Sequence, residues 1–451
     1  MFTVKELTKV FPEYRGAAND SILIRGMMTD TRKEVKQSLF VPIVGESFDA
    51  HQFLTEAIKQ GAVAALWQKG RSLPEAVPTE FPVLFVDDTT AALQQTAKFY
   101  LDKVAPTVIG VTGSNGKTTT KDLTASILQV KYKTHKTAGN YNNHIGLPLT
   151  ILAMPLDTEV AVLEMGMNKL GEISLLSKLA QPDHVMITNI GESHIEYLGS
   201  RENIARAKLE ILDGWSKRGL FVFDGDEPLL TSLVSGSSSV SCGFSEGASK
   251  PIQHIEMTDD DSSFKLDNVP YHIPMSGRHN IKNASYVIAI ATSLGLTAEE
   301  INRGFNHLEM SGMRFEKHKG KQGALIINDA YNASPTSMKA VIEVVCHLKD
   351  KKNKVLVLGD MFELGDHAAD LHASVASAIT EQIHTVYTIG EHAGMIIKAL
   401  KATHPEIESK HFQTKQSLSD QLQDKLTSET VVLLKASRGM KLEEIMNDLT
   451  N

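Results

Sequence analysis

The stretch Thr107–Thr120, TVIGVTGSNGKTTT, constrains this chain more than any other. Thr107–Val111 is a short apolar, β-branched run that reads as a buried strand. Gly113, Ser114, Asn115 and Gly116 read as a turn, and Lys117-Thr118-Thr119-Thr120 opens a helix that continues through Lys121–Val130. Strand, glycine turn and helix N-terminus in that order build an anion site, because backbone N–H groups converge where the helix dipole is positive. Lys117 adds a full charge for β/γ-phosphate oxygens, and the Thr118 hydroxyl can ligate Mg²⁺. The general phosphate-loop spacing puts its first glycine where Val111 stands; the glycines here are Gly110, Gly113 and Gly116. The stretch is read as a nucleotide-triphosphate site, the alternative being a glycine turn without a ligand.

A length of 451 residues suits about three domains, and 42% apolar with 22% charged residues is ordinary for a globular protein. The formal charge of −8 argues against a general nucleic-acid binder. Cys242 and Cys346 stand far apart in no metal-ligand spacing, which fits a reducing compartment. The N-terminus lacks a signal peptide's apolar core, and no run approaches the ~18 apolar residues of a membrane span, so a cytoplasmic protein without membrane insertion is expected.

Alternating strand and helix patterns predict an α/β chain of three domains: 1–104, small α/β; 105–312, central and nucleotide-binding; 313–451, Rossmann-like. In the first, Thr3–Val10 and Asp49–Gln60 read as helices, and Ser38–Pro42, Ala62–Trp67 and Val83–Val86 as strands. Its polar stretches Thr29–Arg32 and Gly45–His51 are either solvated loops or a binding rim, with Arg32 the natural phosphate partner. In the second, the loop Thr137–Thr150 crowds Asn140, Asn142, Asn143 and His144 together, which favours a site. Val160–Leu163 reads as a strand ending at Glu164, the expected Mg²⁺ partner beside a phosphate loop. A strand at His184–Asn189 precedes His194, and the helix Arg201–Leu212 carries Lys208; neither residue persuades by itself. Residues 231–270 suggest hairpins, and Ser276–Asn280 opens a long helix.

In the third domain, strands at Ala324–Asn328, Lys354–Leu358, Thr385–Ile389 and Thr430–Leu434 alternate with helices Ser337–Leu348, His367–Glu381 and a short one, before a terminal helix Leu442–Leu449. Polar clusters 329–335, 359–361 and 435–439 fall where such a parallel sheet places a site.

Together these residues resemble the Mur ligases, three-domain ATP-dependent amide-forming enzymes of peptidoglycan synthesis. GVTGSNGKTT is similar to that family's phosphate loop, whose glycines have the same offset. The resemblance implies that Glu164, His194 and Lys208, with Thr118, lie where two Mg²⁺ ions are held. It implies carbamylation of Lys208; the other reading is an ordinary lysine pairing with a phosphate. It further implies His279 and Asn283 at the adenine, Asp329 at the ribose, and Arg314 at the γ-phosphate with Tyr331 and Asn332 nearby. DAYNASP and LGDMFELG are similar to the member that adds D-alanyl-D-alanine to UDP-N-acetylmuramoyl tripeptide through an acyl phosphate, although Ser334 stands where Asn is usual. TDTRKEVKQSLFVPIVGESFDAH is similar to the UDP-binding domain, implicating Thr31, Arg32, Gly45 and His51 in substrate binding, with Ala50 in place of Gly. Lys117, Glu164, His194, Lys208 and Arg314 are then the expected catalytic set, in a monomer. Alternatives are a member adding lysine or diaminopimelate, and a nucleotide-binding member without catalysis. Because nucleotide groups lie on both sides of Gly312, closure of two domains about that glycine is expected to bring Arg314 to the phosphate loop.

Overall fold

The computed structural model describes residues 1–45, 47–234, 236 and 238–450. Glu46 of the polar stretch 45–51, Ser235 and Ser237 of the hairpin region, and the terminal Asn451 lie outside them.

Buried β-branched and apolar runs make the strands. Thr107–Thr112 pairs in parallel with Val160–Glu164 on one side and His184–Ile187 on the other. The chain thus leaves the phosphate-loop strand towards one edge and returns to its other flank, creating a crevice at the strands' carboxyl ends. Outward from His184–Ile187 the sheet continues in parallel through Phe221–Asp224, Ser239–Gly243 and Lys250–Met257, then ends in the antiparallel strands Ser262–Leu266 and Val269–Ile273. These last two are the expected hairpins. Thr134–Lys136 closes the opposite edge.

The N-terminal part forms a five-stranded sheet in the order Tyr14–Arg15, Val83–Val86, Ala62–Gln68, Ser38–Phe40, Gly26–Met28. The expected helix Thr3–Val10 shrinks to Val4–Leu7. Phe2–Thr3 is drawn into a two-stranded pair with Leu23–Ile24, and Thr3 with Glu6 forms a capping box that fixes the start. Helix Thr89–Val104, capped by Asp88, joins this part to the centre and stops at left-handed Ala105 before Pro106. One apolar cluster runs from Phe2 and Leu66 through Leu93 and Ala97 to Leu147 and Ile151, so the first two parts share a core.

The C-terminal part is a six-stranded sheet in the order Glu316–Lys319, Leu325–Asn328, Thr430–Lys435, Asn353–Gly359, Thr385–Ile389, Glu408–Phe412, parallel except for the first strand. The expected helix His367–Glu381 is broken into Gly365–His367, Ala368–Ala373 and Ser374–Ala378. Between Ile389 and Thr430 two helices, Gly394–Thr403 and Lys415–Gln423, flank the edge strand Glu408–Phe412, where the sequence pointed to one short helix. Gly312 is not the backbone's special point at the linker. The left-handed residues are Met313 (φ 61°) and Phe315 (φ 53°), held by bonds to Glu316 Oε2 (2.8 Å) and Asp329 Oδ1 (3.0 Å). No helix among the described residues is long and apolar enough to cross a membrane.

Candidate active site

The carboxyl ends of the central and C-terminal sheets face one another across a cleft of 490 Å³. The phosphate loop forms its floor. At Gly113 (φ 150°) a Cβ would lie 1.8 Å from Thr188 Oγ1, and at Gly116 (φ 80°) it would press on the Asn283 amide at 3.0 Å. Only glycine fits the first position. Helix Lys117–Leu128 begins at Gly116 without a side-chain cap, leaving its first N–H groups for a ligand. Ser114 Oγ and Asn115 Nδ2 are buried beside them without a partner among the described residues. Lys117 folds back over the loop, its Nζ 2.7 Å from Gly113 O. Burial holds its pKa below the usual lysine value, with Glu164 opposing and Arg314 adding to the depression.

Glu164, 3% exposed at the end of its strand, accepts from Thr118 Oγ1 (2.9 Å) and Asn142 Nδ2 (2.8 Å). Asn140 lines a neighbouring cavity, whereas Asn143 caps Ile145 N and Gly146 N (3.1 and 2.8 Å), starting the helix Gly146–Leu152. Lys208 is 1% exposed, and no hydrogen bond or ion pair holds it among the described residues. Burial pushes its pKa well down, and Lys117 adds to this. His194 lines the cleft from a left-handed backbone (φ 66°). Its Nδ1 lies 2.5 Å from Glu363 Oε2, outside hydrogen-bonding angles, and has no other partner among the described residues.

From the other side, Arg314 stacks over Tyr331 with 4.4 Å to the ring centre. Asp329 takes Lys435 Nζ (2.6 Å), which also donates to Asn332 O (2.9 Å). Helix Arg278–Ser293 supplies His279 and Asn283. The His279 side chain is exposed to the cleft although protein surrounds it. That surround lowers its pKa, with Asp329 opposing and Lys435 assisting. Arg278, in the stretch expected to open this helix, lies 4.0 Å over Phe244, and Lys282 bridges Asp224 and Asp226 at 2.9 Å each; Lys282 carries no local signal because its partners are fifty and more residues away. Lys435 was visible only as part of a polar cluster. Thr336 joins the two halves through Glu192 (2.7 Å), and Ser334 through Asn115 Oδ1 (3.0 Å).

Two groups do not enter this cleft. Lys208 is not among its lining residues. Thr31, Arg32, Gly45 and His51 all lie elsewhere: Arg32 is a solvated side chain paired with Asp30 (2.7 Å), and Gly45 N donates to Phe48 O (2.9 Å). His51 is 5% exposed, its ring edge-on to Trp67 and its Nδ1 2.6 Å from Asp49. Asp360, in another of the polar clusters, is structural: it accepts from the backbone N–H groups of Glu391, His392 and Ala393. No group of three or more His, Cys, Asp or Glu that could hold a metal occurs among the described residues. The hard-oxygen pair Thr118–Glu164 still fits Mg²⁺, which takes one or two protein oxygens and fills its octahedron with phosphates and water.

Residues 111–291 match the Mur ligase middle domain, and residues 313–438 match the Mur ligase glutamate ligase domain. The UDP-N-acetylmuramoyl-tripeptide–D-alanyl-D-alanine ligase of Bacillus subtilis is 45% identical over 433 residues, covering 95% of this chain and 94% of that protein. Its Escherichia coli counterpart is 33% identical over 99% of this chain and 98% of its own length. Among solved structures, MurF from Acinetobacter baumannii superposes with a TM-score of 0.87 at 29% identity, covering 99% and 98% of the two chains. MurF from Thermotoga maritima in complex with ADP gives 0.82 at 27% identity, covering 95% and 98%. A phosphate loop under one sheet, a basic rim on the next, and matches of this length and identity place the chain in the Mur ligase family.

Proposed function

We propose that this chain joins D-alanyl-D-alanine to UDP-N-acetylmuramoyl tripeptide with ATP, through an acyl phosphate, in the cytoplasm and as a monomer. The observation that carries the reading is the single cleft in which Lys117, Thr118 and Glu164 face Arg314, Asp329 and Tyr331. Joining a carboxylate to an amine needs activation, since oxide is a very poor leaving group. The tripeptide carboxylate attacks the γ-phosphorus and ADP leaves; the dipeptide amine then attacks the acyl carbon and phosphate leaves. Two anions meet in the first step, so charge neutralisation dominates.

Lys117 and the loop N–H groups of Gly113–Thr119 hold the β/γ-phosphates, and Arg314, aligned by Tyr331, reaches the γ-phosphate. His279 and Asn283 face the adenine, Asp329 the ribose, and Asn332 stands beside them. Thr118 and Glu164 would hold one Mg²⁺; His194 and Lys208 would complete a second site. Such ions screen phosphate charge when bound. An ammonium does not ligate a cation, but a buried, unpaired amine with a lowered pKa is the form that adds to CO₂, giving a carbamate oxygen donor and releasing a proton. A 320 Å³ cavity that shares His194, Tyr331 and Asn332 with the cleft suits the dipeptide. Thr31, Arg32, Gly45 and His51, with the Asn140–Asn143 loop, are assigned to the UDP-substrate, His51 acting through the loop it anchors.

The test is phosphate release by the purified protein with ATP, Mg²⁺ and UDP-muramoyl tripeptide, offered D-alanyl-D-alanine, lysine or diaminopimelate. Release that depends on the dipeptide is expected. Release driven by lysine or diaminopimelate, or none with any amine, overturns the reading.

A further inference from the structure

Asp122 lies in the second turn of the phosphate-loop helix, is wholly buried, and plays no part in the scheme above. Its Oδ2 accepts from both Ser311 N (3.0 Å) and Ser311 Oγ (2.8 Å). Its Oδ1 accepts from Lys136 Nζ (2.7 Å) and lies 3.2 Å from Lys121 Nζ. Lys121 also donates to Thr137 O (3.0 Å), and Thr137 Oγ1 takes the N–H of Glu164 (2.9 Å). One turn further along the helix, Ser126 Oγ accepts from Glu309 N (3.5 Å). The linker is thus laid along the helix that carries Lys117 and Thr118 at its start.

Three residues beyond Ser311 the chain delivers Arg314 into the cleft, between left-handed Met313 and Phe315. Two non-glycine residues in that conformation persist only where the surroundings over-determine them. On the C-terminal side Phe315 is fixed by Asp329; on the N-terminal side Met313 is held by Glu316, and Ser311 is fixed by Asp122. Charge balance of Lys121 and Lys136 would need only Oδ1, whereas Oδ2 serves the linker alone.

We propose that Asp122 is a positioning residue: it ties the linker to the phosphate-loop helix so that Arg314 meets the γ-phosphate of a nucleotide seated at that helix's own N-terminus. The inference rests on the ATP-dependent ligase reading. Ser311→Ala removes one bond of the tether and leaves both lysine pairs intact, so it is a milder change than Asp122→Asn, which unpairs two buried lysines. Loss of one such bond should lower kcat about fivefold with the KM for ATP within about twofold. In an Arg314→Ala background the same change should cost nothing further, since the tether acts through that arginine. Equal losses in both backgrounds, or an undiminished kcat, overturn the proposal. A second readout needs no turnover. Spin labels at Lys131→Cys and Lys319→Cys, with the native cysteines buried, should give a narrow distance distribution that broadens in Ser311→Ala. An unchanged width overturns the tether, and absent dipeptide-dependent release in the unsubstituted chain would instead count against the ligase reading.

Discussion

Glu164→Gln separates charge from shape at the centre of the cleft. The two carboxylate oxygens are used by different partners, Thr118 Oγ1 at 2.9 Å and Asn142 Nδ2 at 2.8 Å. A glutamine of the same size keeps both: its carbonyl accepts from Asn142, and its amide donates to Thr118, whose own hydrogen turns away. Each bond contributes about 1 kcal/mol net, so stability should change by less than ~1 kcal/mol. What disappears is the anion. The carboxylate would act through the Mg²⁺ it helps to hold, and weakening that ion's screening of the phosphates, on the scale of a lost oxyanion contact, costs about 2.7–4 kcal/mol, or roughly 10²–10³ in kcat. The same anion opposes the burial that lowers the pKa of Lys117. Without it that pKa falls further, so the protonated fraction is lost at lower pH and the alkaline decline of activity should begin at lower pH than in the unsubstituted protein. Phosphate release measured against Mg²⁺ concentration and pH, beside thermal unfolding, tests all three statements. A kcat within about tenfold of the unsubstituted value, or unfolding weakened by more than ~2 kcal/mol, would refute the assignment.

Lys117→Ala removes a charge from the half-buried first residue of the phosphate-loop helix and no core volume; ligation should fall by several kcal/mol of transition-state stabilisation while the thermal midpoint holds, and rates within about tenfold would sink the phosphate-loop assignment. Lys208→Ala should be nearly inactive yet folded, with partial recovery on adding short carboxylic acids; recovery with small amines alone points to the uncarbamylated lysine. Stability should also fall on acidification. His372 accepts Met361 N on Nε2 and His184 accepts Leu220 N on Nδ1, and burial lowers the pKa of both. Neutral in the folded state, they favour it fully above the ordinary value of about 6.5, and the advantage is lost as pH falls from there through their lowered values. Thermal midpoints between roughly pH 7.5 and 5 should drop, less so in His372→Asn; a flat profile contradicts this.

Much of the fold was legible because its strands are buried on both faces. Val83–Val86 and Thr385–Ile389 begin and end where their apolar runs do. The edge strand Glu408–Phe412, ESKHF, carries no such run, since only one flank is paired, and it went unseen. Thr3–Val10 looked helical by period, but pairing of Phe2–Thr3 with Leu23–Ile24 depends on a partner twenty residues away that no local pattern announces.

The site divides along the same line. Lys117, Thr118 and Glu164 are adjacent to strand ends, so local order already placed them. His51 shows what composition conceals: a polar stretch suggests a solvated rim, yet Trp67 covers the ring and Asp49 satisfies it. The linker shows the reverse. Gly312 drew attention because glycine permits unusual backbone, whereas the unusual backbone sits at Met313 and Phe315. Permission at one residue is weaker than compulsion from both sides, and the compulsion comes from Asp122 on the phosphate-loop helix and Asp329 at the end of a C-terminal strand. A conformation imposed by tertiary bonds leaves no mark at the residue that adopts it. The arginine between those two residues is therefore placed by the packing of two domains, and its reach into the cleft depends on groups more than a hundred positions away as much as on its own neighbours.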